Sequence, residues 1–346
     1  MYKVLLAISR FMSSYTPWVV IAAAVAAFLC PPLFGWVAGP VQTGILGFIM
    51  LTMGLTLTRA DMHSLISRPL DLLIGACAQY GLMPLIAWSM VQVFHLDTAL
   101  AVGILLVGCC PGGVSSNIMS YLCHGDVAYS VGMTTVSTLL APLVTPALVL
   151  WLAGQSVEVD AIGMFVNILI VTVIPVGTGF ACNVLLGSRE GYRHVQTVMP
   201  AFSVAGLACI VGGVVSAVHD HLIAGGLMLL LTTFAVVFCH NTLGYLAGWL
   251  VGRLCRFGTA KKRTLSIEVG MQNAGLATNL SSAFFMATCP LAVVPCAISC
   301  AWHSLSGTLL ATFFAQRDKR ATRKIRFYPL TESSKRIIKT RHNHEP

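Results

Sequence analysis

Apolar positions run through this chain in stretches of about 20 residues, the length a helix needs to cross a hydrocarbon core of about 30 Å, and short polar clusters separate the stretches. The pattern predicts ten spans, approximately residues 15–35, 40–57, 70–92, 98–123, 127–153, 161–186, 198–218, 222–251, 264–287 and 291–315. The alternating segments of about 10 residues that mark an outer-membrane barrel are not present in the chain. Two spans are interrupted. Span four contains CCPGGVSSNIMSYL; Pro111 removes a backbone donor and Gly112-Gly113 are poor helix formers, so a break is expected near mid-membrane. In span nine Gly270 and Gly275 bracket Met271, Gln272 and Asn273. Backbone freed at such a break is tolerated in a bilayer only where protein buries it or a watery cavity receives it. The interrupted spans are each fourth in a set of five, and an odd number of crossings per set makes the two sets enter the membrane in opposite senses. Paired broken helices in inverted halves point to a secondary transporter with its site at the midplane.

Composition narrows the class. The chain is 56% hydrophobic and 10% charged, against roughly 45–50% and 25% for a soluble domain, with a mean hydropathy of +0.82. The first apolar stretch is followed by nine more and has no small-residue cleavage site, so it reads as a span rather than a removable signal. Lysine and arginine set the orientation, because cytoplasmic loops carry the positive excess. Lys3 and Arg10 precede span one, Arg59 and Arg68 follow span two, Arg189 and Arg193 follow span six, and Arg253, Arg256, Lys261, Lys262 and Arg263 follow span eight. The tail from Arg317 holds all the rest. Every basic residue thus falls on one side, while the opposite loops hold Asp97, Glu158, Asp160 and Asp220. The expectation is a multi-pass inner (plasma) membrane protein with both termini cytoplasmic. The basic tail reads as a solvated positive-inside segment, ahead of attraction to anionic lipid, and nucleic-acid binding ranks behind both. Twelve cysteines are scattered through the spans without metal-ligand spacing and read as small packing residues.

Glu268 is the one acidic residue placed well inside a span; Asp71 is close enough to an end to reach the interface. Burying a carboxylate at a helix centre costs at least ~2.5–3.5 kcal/mol, and no span interior offers a lysine or arginine to offset it. A bound cation or a proton remains. Glu268 and Gln272 are four apart and share a helix face. Ser130 and Thr134 form a similar pair in span five with Ser137 one turn on, Ser116 and Asn117 follow the first break, and Gln79 lies in mid-span three. Carboxylate, amide, hydroxyl and main-chain oxygens suit a hard cation, and the absence of an intramembrane thiolate–imidazole set argues against a transition metal.

Three stretches resemble the bile acid:sodium symporter family, in particular its bacterial homologues: GCCPGGVSSNIMSYLCHGDVAYSVGMTTVSTLLAPLVTPAL from Gly108, SIEVGMQNAGLA from Ser266 and AWHSLSGTLLA from Ala301. The resemblance covers essentially everything before the tail. It implies an all-α membrane fold of ten transmembrane helices in two inverted five-helix repeats, residues 1–153 and 154–316, followed by the basic cytoplasmic tail 317–346. Spans one, two, six and seven would make a panel, and spans three to five and eight to ten a core where the broken helices cross. It implies two transported sodium ions, one held by Ser116, Asn117, Ser130, Thr134 and Glu268, the other by Gln79, Glu268, Val269, Met271 and Gln272, with Val269 and Met271 offering main-chain carbonyls. It also implies a small organic anion, a carboxylate such as pantoate or a bile acid, bound at the half-helix starts Val114-Ser115 and Asn273 and near His303 and Ser304. Where relatives often have Thr after the Gly pair this chain has Val114, and where they often read WHN it has Trp302, His303 and Ser304; both departures remove hydrogen-bonding capacity.

Three other readings compete. A proton-coupled transporter would use Glu268 as carrier. An intramembrane enzyme would draw acid–base chemistry from Glu268, His240 and His303, but the sequence places no activated nucleophile beside them, and no catalytic residue is assigned. A channel would need a continuous pore, for which two broken half-helices are a poor start. The steps Gly244, Gly248 and Gly252 in span eight read as close helix packing.

Overall fold

The computed structural model describes residues 6–327 apart from 8, 10 and 14, and leaves out the side chains of residues 64–66, 190, 193 and those after 318. Lys3, Arg10, the Arg193 side chain and the basic tail from Lys319 onward therefore lie outside the described residues. The chain folds into helices α1 (Thr16–Leu29), α2 (Gly39–Gly54), α3 (Arg59–Ser67), α4 (Pro69–Val93), α5 (Thr98–Cys109), α6 (Ser116–Leu122), α7 (Val127–Ala153), α8 (Ala161–Ile168), α9 (Ile174–Leu186), α10 (Glu190–Ala217), α11 (His219–Leu254), α12 (Thr259–Gly270), α13 (Ala274–Phe284) and α14 (Val293–Phe327). Among the described residues the one extended pairing is an isolated antiparallel bridge between Gly112 and Gln272. Six helical stretches among the described residues are long and apolar enough to cross a membrane: Pro69–Val93, Val127–Ala153, Ala161–Leu186, His194–Ala217, His219–Leu254 and Pro290–Asp318. Their outer faces are apolar too. Leu85, Leu143, Trp151, Ile162 and Leu185 are all exposed, as expected for side chains whose solvent is lipid rather than water.

The sparse acidic residues of the loops start helices. Asp97 accepts from Leu100 N (2.9 Å), Asp126 from Tyr129 N (3.0 Å) and Asp160 from Gly163 N (2.8 Å), capping α5, α7 and α8. Each satisfies one of the backbone donors that a helix start leaves unpaired.

The helices pack in two groups. In one, α10 lies against α1 and α2, and α9 lies against α2. In the other, α12 runs along α11, α4 contacts α5, α7 and α11, and α14 contacts α13, α5 and α11. The seam between α11 and α12 depends on glycine, as the small-residue steps predict. A Cβ on Gly248 would sit 2.5 Å from the Leu265 carbonyl oxygen, and one on Gly244 2.9 Å from Gly270 Cα. Removing side chains there lets two backbones approach to van der Waals contact.

Side-chain bonds tie the loops together at two ends. At the basic end Asn183 donates to the Leu57 carbonyl (2.6 Å), Arg68 pairs with Asp126 (3.0 Å), Lys261 pairs with Asp71, and Arg263 grips both oxygens of Asp318 (2.7 and 2.6 Å). The acidic end gathers Asp97, Asp160 and Asp220, and there Ser216 donates to the Pro31 carbonyl (2.7 Å). Three local features depart from the sequence reading. Helix α11 is broken at Gly226 (φ 61°, ψ −164°), a backbone state that glycine adopts without a Cβ clash. Residues 169–173 between α8 and α9 form a π-helical turn. The loop after span two holds α3, started by a reciprocal Thr58–Asp61 capping box.

Candidate functional site

The two interrupted spans break where expected and satisfy each other. Helix α5 ends at Cys109 and α6 begins at Ser116, while α12 ends at Gly270 and α13 begins at Ala274. Between these ends Gly113 N donates to the Met271 carbonyl (2.7 Å) and Asn273 N to the Pro111 carbonyl (2.8 Å). Backbone groups released from both helices thereby find partners inside protein, the condition for irregular chain at membrane depth. The glycines are needed for the approach. A Cβ on Gly112 would lie 3.2 Å from Glu268 Oε2, and one on Gly113 2.8 Å from the Gln272 carbonyl oxygen.

Glu268, 1% exposed, faces the start of α6 and the first turns of α7. Ser116 Oγ donates to its Oε1 (2.6 Å), Ser130 Oγ donates to the same oxygen, and Thr134 Oγ1 donates to Oε2 (2.9 Å). Asn117 Oδ1 lies 3.5 Å from Thr134 Oγ1. The structure thus brings together all five residues expected at the first cation position. Among the described residues no Lys, Arg or His pairs with Glu268. His240 bonds the Met83 carbonyl (3.2 Å) and His303 the Gln272 carbonyl (3.4 Å); neither is bonded to Glu268, as an acid–base arrangement would require.

The second set lies beside the first and is bonded differently. Gln79 Nε2 donates to Gln272 Oε1 (2.5 Å) and to the Cys110 carbonyl (3.2 Å), and Gln272 Nε2 donates to the Val269 carbonyl (2.7 Å). Met271 gives its carbonyl to Gly113, and no bond joins Glu268 to Gln79 or Gln272. Gln79 Oε1 is buried with no hydrogen-bond partner. An acceptor left unpaired in a buried place is costly, and an oxygen in that condition is suited to a cation.

Two contributors escaped the sequence reading. Ser120 Oγ accepts from Ser130 Oγ (3.0 Å), so the single Ser130 proton has two acceptors in reach, Ser120 and Glu268. The position of Ser120 four residues after Ser116 on the same half-helix was a usable signal. Asn241 on α11 donates to the Gly270 carbonyl (2.7 Å), pairing the last turn of α12 where the break frees it. A lone asparagine in an apolar span gives its partner no address in the sequence.

All five expected substrate residues, Val114, Ser115, Asn273, His303 and Ser304, line one cavity of about 310 Å3. Its walls also include Thr52, Met53, Thr56 and Met199, so it reaches toward the basic end. Among the described residues no Lys, Arg, Asp or Glu lines it. Within it the Asn273 side chain caps α13 by accepting from Leu276 N (3.0 Å), and His303 Nε2 is buried without a partner.

A polytopic helical membrane protein whose two broken helices cross beside a buried, oxygen-ringed carboxylate has the architecture of a secondary transporter. The model of the Sodium Bile acid symporter family matches residues 43–242, and the chain belongs to that family, a family of transporters and not of enzymes. It is 40% identical over 303 residues to the uncharacterized sodium-dependent transporter YocS of Bacillus subtilis (strain 168), covering 88% of this chain and 91% of that protein. It is 38% identical over 294 residues to the probable chloroplastic sodium/metabolite cotransporter BASS1 of Oryza sativa subsp. japonica, covering 85% of this chain and 70% of that protein. Its likeness to the Arabidopsis thaliana protein of the same name is 38% over 281 residues. The protein is thus a membrane transporter of the sodium-symport class.

Proposed function

We propose that this chain couples the entry of sodium, held at two sites, to that of a small organic anion across the inner membrane, by alternating access between two inverted five-helix repeats, residues 1–153 and 154–316. The observation that carries the reading is Glu268, buried, surrounded by three hydroxyls and without a basic partner. A carboxylate in such a place needs a positive charge, and oxygen ligands of this kind select a hard cation. Ser116, Asn117, Ser130, Thr134 and Glu268 would hold the first ion. Gln79, Gln272, Glu268 and the carbonyls of Val269 and Met271 would hold the second, supported by the unpaired Gln79 Oε1. The anion would lie in the cavity beside Val114, Ser115, Asn273, His303 and Ser304; the half-helix starts offer it backbone N–H groups in place of a charged side chain. The α1, α2, α8–α9 and α10 group corresponds to the panel and the other helices to the core, with the basic end and both termini in the cytoplasm. The names of two relatives, sodium-dependent transporter and sodium/metabolite cotransporter, agree with sodium coupling and a small solute.

The purified protein is expected to melt at a higher temperature in sodium chloride than in potassium chloride of equal ionic strength, because a ligand that binds only the folded state raises stability by mass action. Identical melting curves in the two salts would remove the sodium sites. A screen of carboxylates in each salt then identifies the anion by the further shift it produces in sodium alone.

A further inference from the structure

Beyond the cavity, toward the acidic end, specific polar side chains join the two groups of helices. Asn279 on α13 is 1% exposed and uses both ends of its amide across the boundary between the helix groups. Its Nδ2 donates to Asn167 Oδ1 on α8 (3.0 Å), and its Oδ1 lies 3.2 Å from Thr43 Oγ1 on α2, whose one proton it shares with the Gly39 carbonyl at the same distance. One turn on, Gln42 Nε2 donates to Ser282 Oγ (3.1 Å). These contacts lie in the half of the molecule toward the acidic end, near the starts of α2 and α8. Deeper in the same half, Val20, Val211 and Val214 pack with Ala274, Val294 and Ala297 in one apolar cluster. Toward the basic end the pattern is the reverse. Thr52 pairs with Ser203 (2.5 Å) and Gln196 donates to the Leu55 carbonyl (2.7 Å), both inside one group, while Lys261–Asp71 and Arg263–Asp318 lie inside the other.

We propose that Asn279, held between Thr43 and Asn167, is a positioning residue of the transport cycle: the latch that keeps the acidic end closed while the basic end is open, broken and remade at every turnover. The proposal rests on the alternating-access reading above. Its logic is that of a two-state balance, in which a contact present in only one state shifts the population toward that state. Two neutral amide bonds are well suited to this, each being worth only about two- to tenfold in an equilibrium, so the latch biases the balance without freezing it. An ion pair buried at the same place would cost far more to open.

Hydrogen–deuterium exchange on the full-length protein in sodium chloride, followed by mass spectrometry, tests this without knowledge of the solute. In Asn279→Leu, peptides covering the acidic-end halves of α2 and α13 are expected to exchange about two- to tenfold faster, and peptides covering Met50–Thr56 and Met199–Ser203 to exchange more slowly. Opening one end and closing the other go together in an alternating cycle, whereas simple loosening of a packed site speeds the first set and leaves the second alone. Thr43→Val, which removes one bond, should shift both sets in the same directions by a smaller factor, and serves if Asn279→Leu fails to fold. Unchanged exchange at both ends, or faster exchange at the acidic end with no protection at the basic end, would overturn the latch. The sodium-dependent melting shift of the same variants separates the two ideas: retained with no reciprocal change, the latch is wrong; absent from the wild type as well, the sodium reading is wrong.

Discussion

Around Glu268 three hydroxyls turn toward one carboxylate, whereas around Gln79 two amides turn toward each other. The two clusters sit on either side of the same helix crossing and draw on the same few turns of chain, yet they are built on different chemistry. The first gathers three hydroxyls about one carboxylate, so on the proposed reading a cation arriving there would meet its ligands already assembled. The second is neutral, one of its carbonyls is committed to the Gly113 bridge and its amide dipoles are paired. A cation must displace those bonds to enter. On the proposed reading, the comparison teaches that one crossing would support a strong position and a conditional one, the conditional one drawing most of its attraction from its carboxylate neighbour.

Substitutions break this asymmetry in a graded way. Glu268→Ala takes the charge from both clusters and is expected to abolish the sodium-dependent rise in melting temperature; a shift of wild-type size would refute the shared carboxylate. Gln272→Leu removes an amide from the second cluster alone, so sodium should still stabilise the protein, with its half-saturating concentration raised roughly tenfold, the scale of one polar contact in a buried place. Titrating the melting temperature against sodium measures it, and complete loss of the response would show that the two clusters are one site. Ser120→Ala is the mildest. It removes a hydrogen-bond partner of Ser130 without touching Glu268, and a two- to threefold rise in the same midpoint is expected by the lower bound for a net hydrogen bond. No change at all would make Ser120 a packing residue.

Much of this site was legible before any coordinates. The Pro111-Gly112-Gly113 run announces a break by removing a donor and a Cβ, and Glu268 stands out because a carboxylate is so rarely left in a lipid-spanning helix. Residues that act through spacing, such as Glu268 and Gln272 or Ser130 and Thr134, are also readable, because helical periodicity puts them on one face. The elements that stayed hidden are those whose cause is a distant partner. Asn241 and Gly270, Thr43 and Asn279, and Asn279 and Asn167 meet across 29, 236 and 112 residues of chain, with no local pattern to announce them. The kink at Gly226 and the π-helical turn at 169–173 belong to the same class: one glycine among several in its span, and an apolar stretch with nothing to distinguish its register.

The bridge between the two breaks has a consequence for how the protein is made. Ser116 and Glu268 are separated by 152 residues, and at a synthesis rate of ~5–20 residues per second the second break follows the first into the membrane after roughly 8–30 s. During that interval Gly113 N and the Pro111 carbonyl have no Met271 or Asn273 to meet. The newborn amino-terminal half therefore waits in the bilayer with its interrupted helix unpaired, a state that lipid penalises and that membrane proteases and insertion factors can see. Completion of synthesis is the step that seals it, and a chain truncated before Glu268 should be cleared from the cell even though it contains all of α1 to α11.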